Sequence, residues 1–307
     1  MGDARDRRYA PAARRLVLLL LLAAPALPET QARAEGGAVA ESSVGRELTL
    51  AVGGDVMFGR VAAQGYRAHG GPGPFGAWGA TLAGADVAFV NLETGICQEG
   101  RAEGPRPLLW APPDRLDALG GAGIDVVSVA NNHALDCGPD GLDATLAELE
   151  QRGIQAAGVA PAGVARVTDE VVFLAATLHP APYRATGSRP LYAPAGRGLV
   201  ARVRALRAAE GDRLLVVSLH WGRERSLRPA AAQRTLGRAL LAAGANAVVG
   251  HGSHTPQPLE RAGDGVVLYG LGNLVFDDAT PLGRPGAPVV LRFQRTPRGY
   301  VFVGLGG

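Results

Sequence analysis

The stretch "DVVSVANNHALDCG", Asp125 to Gly138, runs an apolar segment straight into two asparagines, a histidine and, three residues later, an aspartate. Amides, imidazoles and carboxylates are the side chains that ligate cations and move protons. The pattern recurs along the chain. Leu48–Val52 leads into Gly53-Gly54-Asp55, Asp86–Val90 into Asn91-Leu92-Glu93, and Ile124–Ala130 into Asn131-Asn132-His133. Leu214–Leu219 leads into His220-Trp221-Gly222, and Ala247–Val249 into Gly250-His251-Gly252-Ser253-His254. Five apolar runs therefore each end in a carboxylate, an amide or an imidazole. Oxygen and nitrogen donors without thiolates form a hard-to-borderline shell, suited to zinc, manganese or iron rather than to a structural zinc knot.

Scattered donors of this kind need a scaffold that gathers them. The runs that carry them have strand length and composition, as do Val171–Ala176, Val266–Tyr269 and Val289–Phe293. Helical spacing of apolar residues marks Pro113–Gly120, Gly141–Gln151, Gly198–Ala209 and Ala230–Ala243. Alternating strands and helices predict an α/β architecture with a largely buried sheet. In an open sheet of this kind the carboxyl ends of the strands converge on the crevice where ligands bind. The Gly/Pro-rich segments His69–Gly79 and Pro281–Pro288 read as surface loops. No fixed-period repeat and no change of composition marks a second domain.

Of the 307 residues 47% are hydrophobic, enough for a sizeable core, and the formal net charge is +3. The amino end sets arginines at 5, 7, 8, 14 and 15 before an apolar run, Leu16 to Ala24, and an Ala32-Arg33-Ala34 site. This is the layout of an export signal occupying residues 1–34 and cleaved after Ala34, and the run is short for a membrane span. Residues 35–46 then read as a flexible lead-in, with one domain over 47–307. Six arginines and three acids lie in residues 1–34, leaving 25 of each sign beyond them. That balance gives no footprint for nucleic acid. The chain has no lysine, which excludes a P-loop, a Schiff-base enzyme and a kinase-type lysine. Cys97 follows Glu93 by four residues, and Cys137 follows His133 by four. In an oxidising compartment a disulfide between them would clip two of the donor loops together.

The ordered set "GGDVMFGR", "NLE", "NNHALD", "HWG", "GHGSH" and "YGLGN" resembles the CapA-type poly-γ-glutamate capsule-biosynthesis family, a branch of the calcineurin-like metallophosphoesterase superfamily. The resemblance covers about Leu48 to Phe276. It implies a four-layer αββα sandwich with a two-metal centre at one end. On that likeness Asp55 is a ligand of the first metal, Glu93 bridges both metals, and Asn132, His220 and His251 hold the second, while His254 returns to the first. His133 corresponds to a histidine that protonates the leaving oxygen, and Asp136 would fix its tautomer. Two cations about 3.5–4 Å apart would lower the pKa of a shared water and neutralise the attacking and leaving oxygens of a phosphate ester.

Two departures qualify the likeness. Met57 stands where superfamily members usually carry a histidine, so the first metal is expected to bind more weakly than the second. In "GHGSH" two residues separate the histidines where ordinary phosphoesterases have one. Arg60 and Asn273 are candidates for substrate binding, Arg60 equally a surface arginine and Asn273 equally the pin of a turn. His179 reads as a loop histidine, Trp221 and Trp78 as stacking surfaces or buried packing, and Asp277 and Asp278 as a solvated loop.

The expected function is that of an exported envelope hydrolase with a phosphoesterase-type centre and divalent metals. Its substrate would be an anionic polymer or a phosphorylated small molecule, and membrane-bound capsule-synthesis proteins its partners. The alternative is a noncatalytic component that uses a retained metal site to handle or export the polymer. His133 and Asp136, which a binder would not need, favour catalysis.

Overall fold

A computed structural model describes residues 44–59, 73–98, 108–179, 196–276 and 285–306. The export signal expected at 1–34, most of the lead-in, Arg60, His69, Asp277 and Asp278 lie outside the described residues.

Two six-strand ladders form the centre. The first contains β1 (Glu47–Val56), β2 (Val87–Leu92), β5 (Val126–Ser128), β6 (Gln155–Ala157), β14 (Val289–Thr296) and β15 (Gly299–Leu305), in the order β15-β14-β1-β2-β5-β6, and β13 (Asn273–Val275) adds to β1 as a branch. The second contains β7 (Val164–Arg166), β8 (Val171–Thr177), β9 (Leu214–His220), β10 (Ala247–His251), β11 (Leu259–Ala262) and β12 (Gly265–Leu268), in the order β11-β12-β10-β9-β8-β7. A small pair, β3 (Gly95–Ile96) with β4 (Trp110–Ala111), stands apart. The strands that carry the donors are parallel within each sheet: β1 with β2, β2 with β5, and β9 with β10. Their carboxyl ends therefore share one edge.

Helices cover the outer face of each sheet. Over the first lie α1 (Trp78–Ala83), α2 (Asp117–Gly121) and α3 (Gly138–Gln151), which bury Leu82, Leu119, Leu142 and Leu149 against Ala51, Val90 and Val127. Over the second lie α4 (Gly196–Glu210) and α5 (Ala231–Ala242), with Leu199, Val203 and Leu240 against Val217 and Val248. Between the sheets Leu50, Val52 and Phe89 meet Phe173, Val216 and Val249. The layers are thus αββα, as the family resemblance implies. Because both sheets are covered on both faces, their central strands are continuously apolar instead of alternating. Phe89 and Phe173 stack across the interior with ring centroids 5.0 Å apart.

The segment expected as one helix over Pro113–Gly120 begins as a 3-10 turn, Pro113–Leu116, and becomes helical only in α2. The missing amide hydrogen and fixed φ of Pro113 suit the first turn. The expected loop His69–Gly79 ends inside α1. Among the described residues no helix is long and apolar enough to cross a membrane.

Candidate metal centre

The donor residues come together where the two sheets open at their common edge. Asp55 lies in register with Asn91 of β2 on one side and Asn273 of β13 on the other. Glu93 follows β2 and donates its N–H to the Val56 carbonyl at 2.8 Å, which ties it beside Asp55. His220 and His251 are the last residues of β9 and β10 and are register partners. Ligand atoms of Asp55, Glu93 and His220 all lie within 4.8 Å of one another. His254 brings Nδ1 to 3.2 Å from Asp55 Oδ2 and Nε2 to 3.8 Å from Glu93 Oε1. His251 Nδ1 lies 3.5 Å from Asp55 Oδ1, and His220 Nε2 is 3.8 Å from Glu93 Oε1.

The loop after β10 is shaped for this convergence. Gly252 has φ +84°, and a Cβ there would fall 2.8 Å from His220 Nε2, so only glycine lets the imidazole stand so close to the turn. His254 also adopts a left-handed backbone, φ 54°, a conformation that costs a non-glycine residue roughly 1–2 kcal/mol. That turn aims its ring back at Asp55.

The polar atoms at this edge lack ordinary partners. Asp55 Oδ2, both carboxylate oxygens of Glu93, Asn132 Oδ1 and both ring nitrogens of His251 are buried without a hydrogen bond. Burying a polar atom without a partner costs on the order of 2–7 kcal/mol, and a folded protein does not gather so many in one place without compensation. Lone pairs of carboxylate, amide and imidazole aimed into one space fit divalent cations such as manganese, zinc or iron. Asp55, Glu93, Asn132, His220, His251 and His254 would hold them. Met57, fully buried beside this edge, supplies no hard donor.

The charges reflect the crowding. Burial opposes ionisation of Asp55, yet the close approach of the His251 and His254 rings outweighs it and holds the carboxyl below its usual range. Burial, reinforced by the charge of Asp55, raises Glu93 well above the usual carboxylate range. Burial also drives His220 well below the ordinary histidine value, so its ring is neutral and keeps a lone pair for ligation. Burial works against protonated His254, but the neighbouring Glu93 charge and the Asp55 contact prevail and raise it to about 10. Without cations, Glu93 and His254 both hold a proton more tightly than they would in water.

His133 and Asp136 form a separate dyad on the loop after β5. Asp136 Oδ2 lies 2.7 Å from His133 Nδ1 and accepts the Leu109 N–H at 2.6 Å. With Nδ1–H held by the carboxylate, Nε2 is the nitrogen left to meet a substrate. His133 adjoins Asn132, which lines a cleft of about 660 Å³ together with His179, His220, Trp221, Arg223, Glu224 and His254.

The other sequence candidates fall as follows. Asn273 turns its Oδ1 toward His254 Nδ1, 3.0 Å away, and so orients the ring that stands beside Asp55 and Glu93. His179 reaches the cleft wall, its Nε2 3.0 Å from the Gly222 carbonyl and its ring edge-on to His220. Trp221 borders the cleft but is mostly packed, stacking on Tyr269 and donating Nε1–H to the Tyr269 carbonyl at 3.1 Å. Trp78 is 42% exposed at the start of α1 and is not a wall of the cleft. Cys97 and Cys137 form the disulfide, joining the loop after β3 to the start of α3. Two residues to which the sequence assigned no role prove central. Asn91 donates to Asp55 Oδ1 at 2.8 Å, and Asn131 donates to Asn91 Oδ1 at 3.2 Å. The sequence marks their positions, as amides at the ends of apolar strands, each two residues or fewer from a donor, but not the partners that give them their roles.

Known proteins resemble this chain. A family profile described as bacterial capsule synthesis protein PGA_cap matches residues 49–278. A Mycobacterium tuberculosis protein called a probable polyglutamine synthesis accessory protein is 32% identical over 226 residues, covering 65% of this chain and 59% of that protein. The chain thus spans about three fifths of the length of that relative. The capsule biosynthesis protein CapA of Bacillus anthracis is 25% identical over 292 residues, covering 89% of this chain and 69% of its own. Among solved structures, a hypothetical protein from Thermus thermophilus aligns with a TM-score of 0.49 at 18% identity, covering 84% of this chain and 97% of that one. The sulfate thiohydrolase SoxB of the same organism aligns with a TM-score of 0.45 at 14% identity, covering 84% of this chain and 55% of that one.

Proposed function

Since the chain belongs to the bacterial capsule synthesis protein family PGA_cap, within the metallophosphoesterase-like superfamily, we propose that it is an exported, metal-dependent hydrolase of capsule or poly-γ-glutamate biosynthesis. The observation that carries this reading is the group of buried, unpartnered donor atoms on Asp55, Glu93, Asn132 and His251, with the Asp136-held imidazole of His133 on the adjoining loop. When bound, divalent cations would supply the positive charge that activates water and offsets developing charge on a phosphate-type substrate. The chain's own residues do the rest. Glu93 and Asp55 fix the negative floor of the site, and neutral His220 offers its lone pair to the same space. Asp136 holds His133 in one tautomer, so that Nε2 passes a proton to the leaving oxygen. Arg223, exposed on the cleft wall, presents positive charge to an anionic substrate.

Buried Met57 favours a second reading, a noncatalytic component that holds metal and polymer without turnover, because it thins the shell around one cation. In either reading residues 1–34 serve as the export signal, membrane-bound synthesis proteins are the partners, and mature protein recovered from the envelope begins at Glu35.

Metal content and turnover decide between them. The purified protein is expected to bind manganese and to hydrolyse an aryl phosphate only in its presence, with His133→Ala lowering kcat about 10²–10⁴-fold at unchanged metal content. Metal uptake with no turnover on any ester would support the noncatalytic component instead. Activity that survives His133→Ala unchanged removes its role as proton donor.

A further inference from the structure

Asn131 and Asn91 are fully buried at the metal edge, yet hydrogen bonds direct their amides at other protein groups. The sense of the Asn131 amide is set by the backbone. Its Oδ1 accepts the His133 N–H at 3.0 Å and its Nδ2 donates to the Leu92 carbonyl at 2.8 Å. A backbone N–H only donates and a carbonyl only accepts, so this amide cannot flip without breaking both contacts. The other hydrogen of the same Nδ2 reaches Asn91 Oδ1 at 3.2 Å. Asn91 must therefore turn its oxygen toward Asn131 and its nitrogen toward Asp55, where it donates to Oδ1 at 2.8 Å. The remaining carboxylate oxygen, Asp55 Oδ2, is one of the unpartnered atoms.

We propose that Asn131 and Asn91 are positioning residues. They form a two-amide relay that carries polarity from the backbone to Asp55, engages Oδ1, and reserves Oδ2 for a cation. The relay rests on the reading of Asp55 as a metal ligand. It also gives the loop a second task, because the amide that starts the relay anchors the backbone of His133. The orientation of the carboxylate and the placement of the proton donor are thereby set by one side chain. In a buried site, orientation fixed before the cation arrives is orientation the cation does not have to impose.

The test uses the full chain and two readouts besides activity: Mn²⁺ affinity by calorimetry, and the visible absorption spectrum of the Co²⁺-loaded protein, which reports ligand geometry. Asn91→Asp keeps shape but sets an oxygen against Asp55 Oδ1. It is expected to weaken Mn²⁺ binding about 10–100-fold and to change the cobalt spectrum. Asn131→Ser keeps an oxygen for the His133 N–H while removing the amide that turns Asn91, and is expected to weaken binding by a smaller factor in the same direction. If Asn91→Asp does not fold, Asn131→Ser alone decides, since wild-type affinity and an unchanged spectrum in that variant overturn the relay. Wild-type affinity and spectrum in a folded Asn91→Asp overturn it equally. A wild-type protein that takes up no Mn²⁺ overturns the metal reading itself, which is a different failure.

Discussion

On the proposed reading, protons and cations compete for the same atoms at this edge. In the metal-free protein Glu93 is raised above its ordinary 4.5 and His254 is raised from 6.5 to about 10, whereas His220 is held well below 6.5, so above 6.5, where His220 is neutral in both states, the folded state holds more protons than the unfolded chain. The sign follows directly. The contribution of His254 is complete below 6.5 and is lost as pH rises through about 10, while keeping Glu93 protonated becomes harder above 4.5. Stability of the EDTA-stripped protein is therefore expected to fall as pH rises from roughly 7 to about 10, above the range in which His220 opposes the trend. Mn²⁺ should bind more tightly over the same interval, since it displaces those protons. Thermal melts with and without metal across that range check the first, and calorimetry in buffers of different ionisation enthalpy counts the protons released. A metal-free protein whose stability climbs with pH would contradict the assignment. The His133–Asp136 pair has its own signature: Asp136→Asn should reduce kcat while leaving metal affinity intact, because Asp136 orients the imidazole and touches no cation.

The disulfide acts on a whole loop. It links the strand-end loop after Glu93 to the N-terminus of α3 across a separation of 40 residues, which encloses β5, Asn132 and His133. A closed loop of that size removes about 4 kcal/mol of unfolded-state entropy in the chain-entropy picture. Reduction, or Cys97→Ser with Cys137→Ser, is expected to lower unfolding free energy by roughly 2–4 kcal/mol, measured by urea denaturation. Equal stability of the oxidised and reduced forms would show that packing alone holds the loop. The elements were unequally legible in the sequence. The eight apolar runs became strands, and the polar termini of five of them marked the candidate metal edge, because burial on both faces leaves unbroken Val/Leu/Ile segments. Strands of two or three residues, such as β3, β4 and β6, are too short for any periodicity to register. The six-residue α1 was hidden by the glycines and prolines before it. The roles of Asn91 and Asn131 were illegible for another reason: they depend on which strands lie side by side, and spacing along the chain does not contain that.

Across the molecule, the two sheets are held face to face by aromatic and aliphatic side chains that reach up to the site. Phe89 stacks on Phe173, and its ring centroid lies 5.6 Å from that of His251. Phe89→Ala should cost about 3–5 kcal/mol of stability through the cavity it leaves. It should also weaken metal binding, as the imidazole loses a wall. Urea unfolding and a manganese titration on the same preparation check both, and a stability loss with undiminished affinity would separate the core from the centre. Asp55, Glu93 and Asn132 belong to the sheet built mainly from the first half of the chain, whereas His220, His251 and His254 belong to the sheet of the second half. Neither half alone owns a complete set of donors, so capture of the ion is the seal on a finished tertiary structure. Metal retained by a preparation would then be a census of closed sandwiches, blind to polypeptide that is intact but not yet shut.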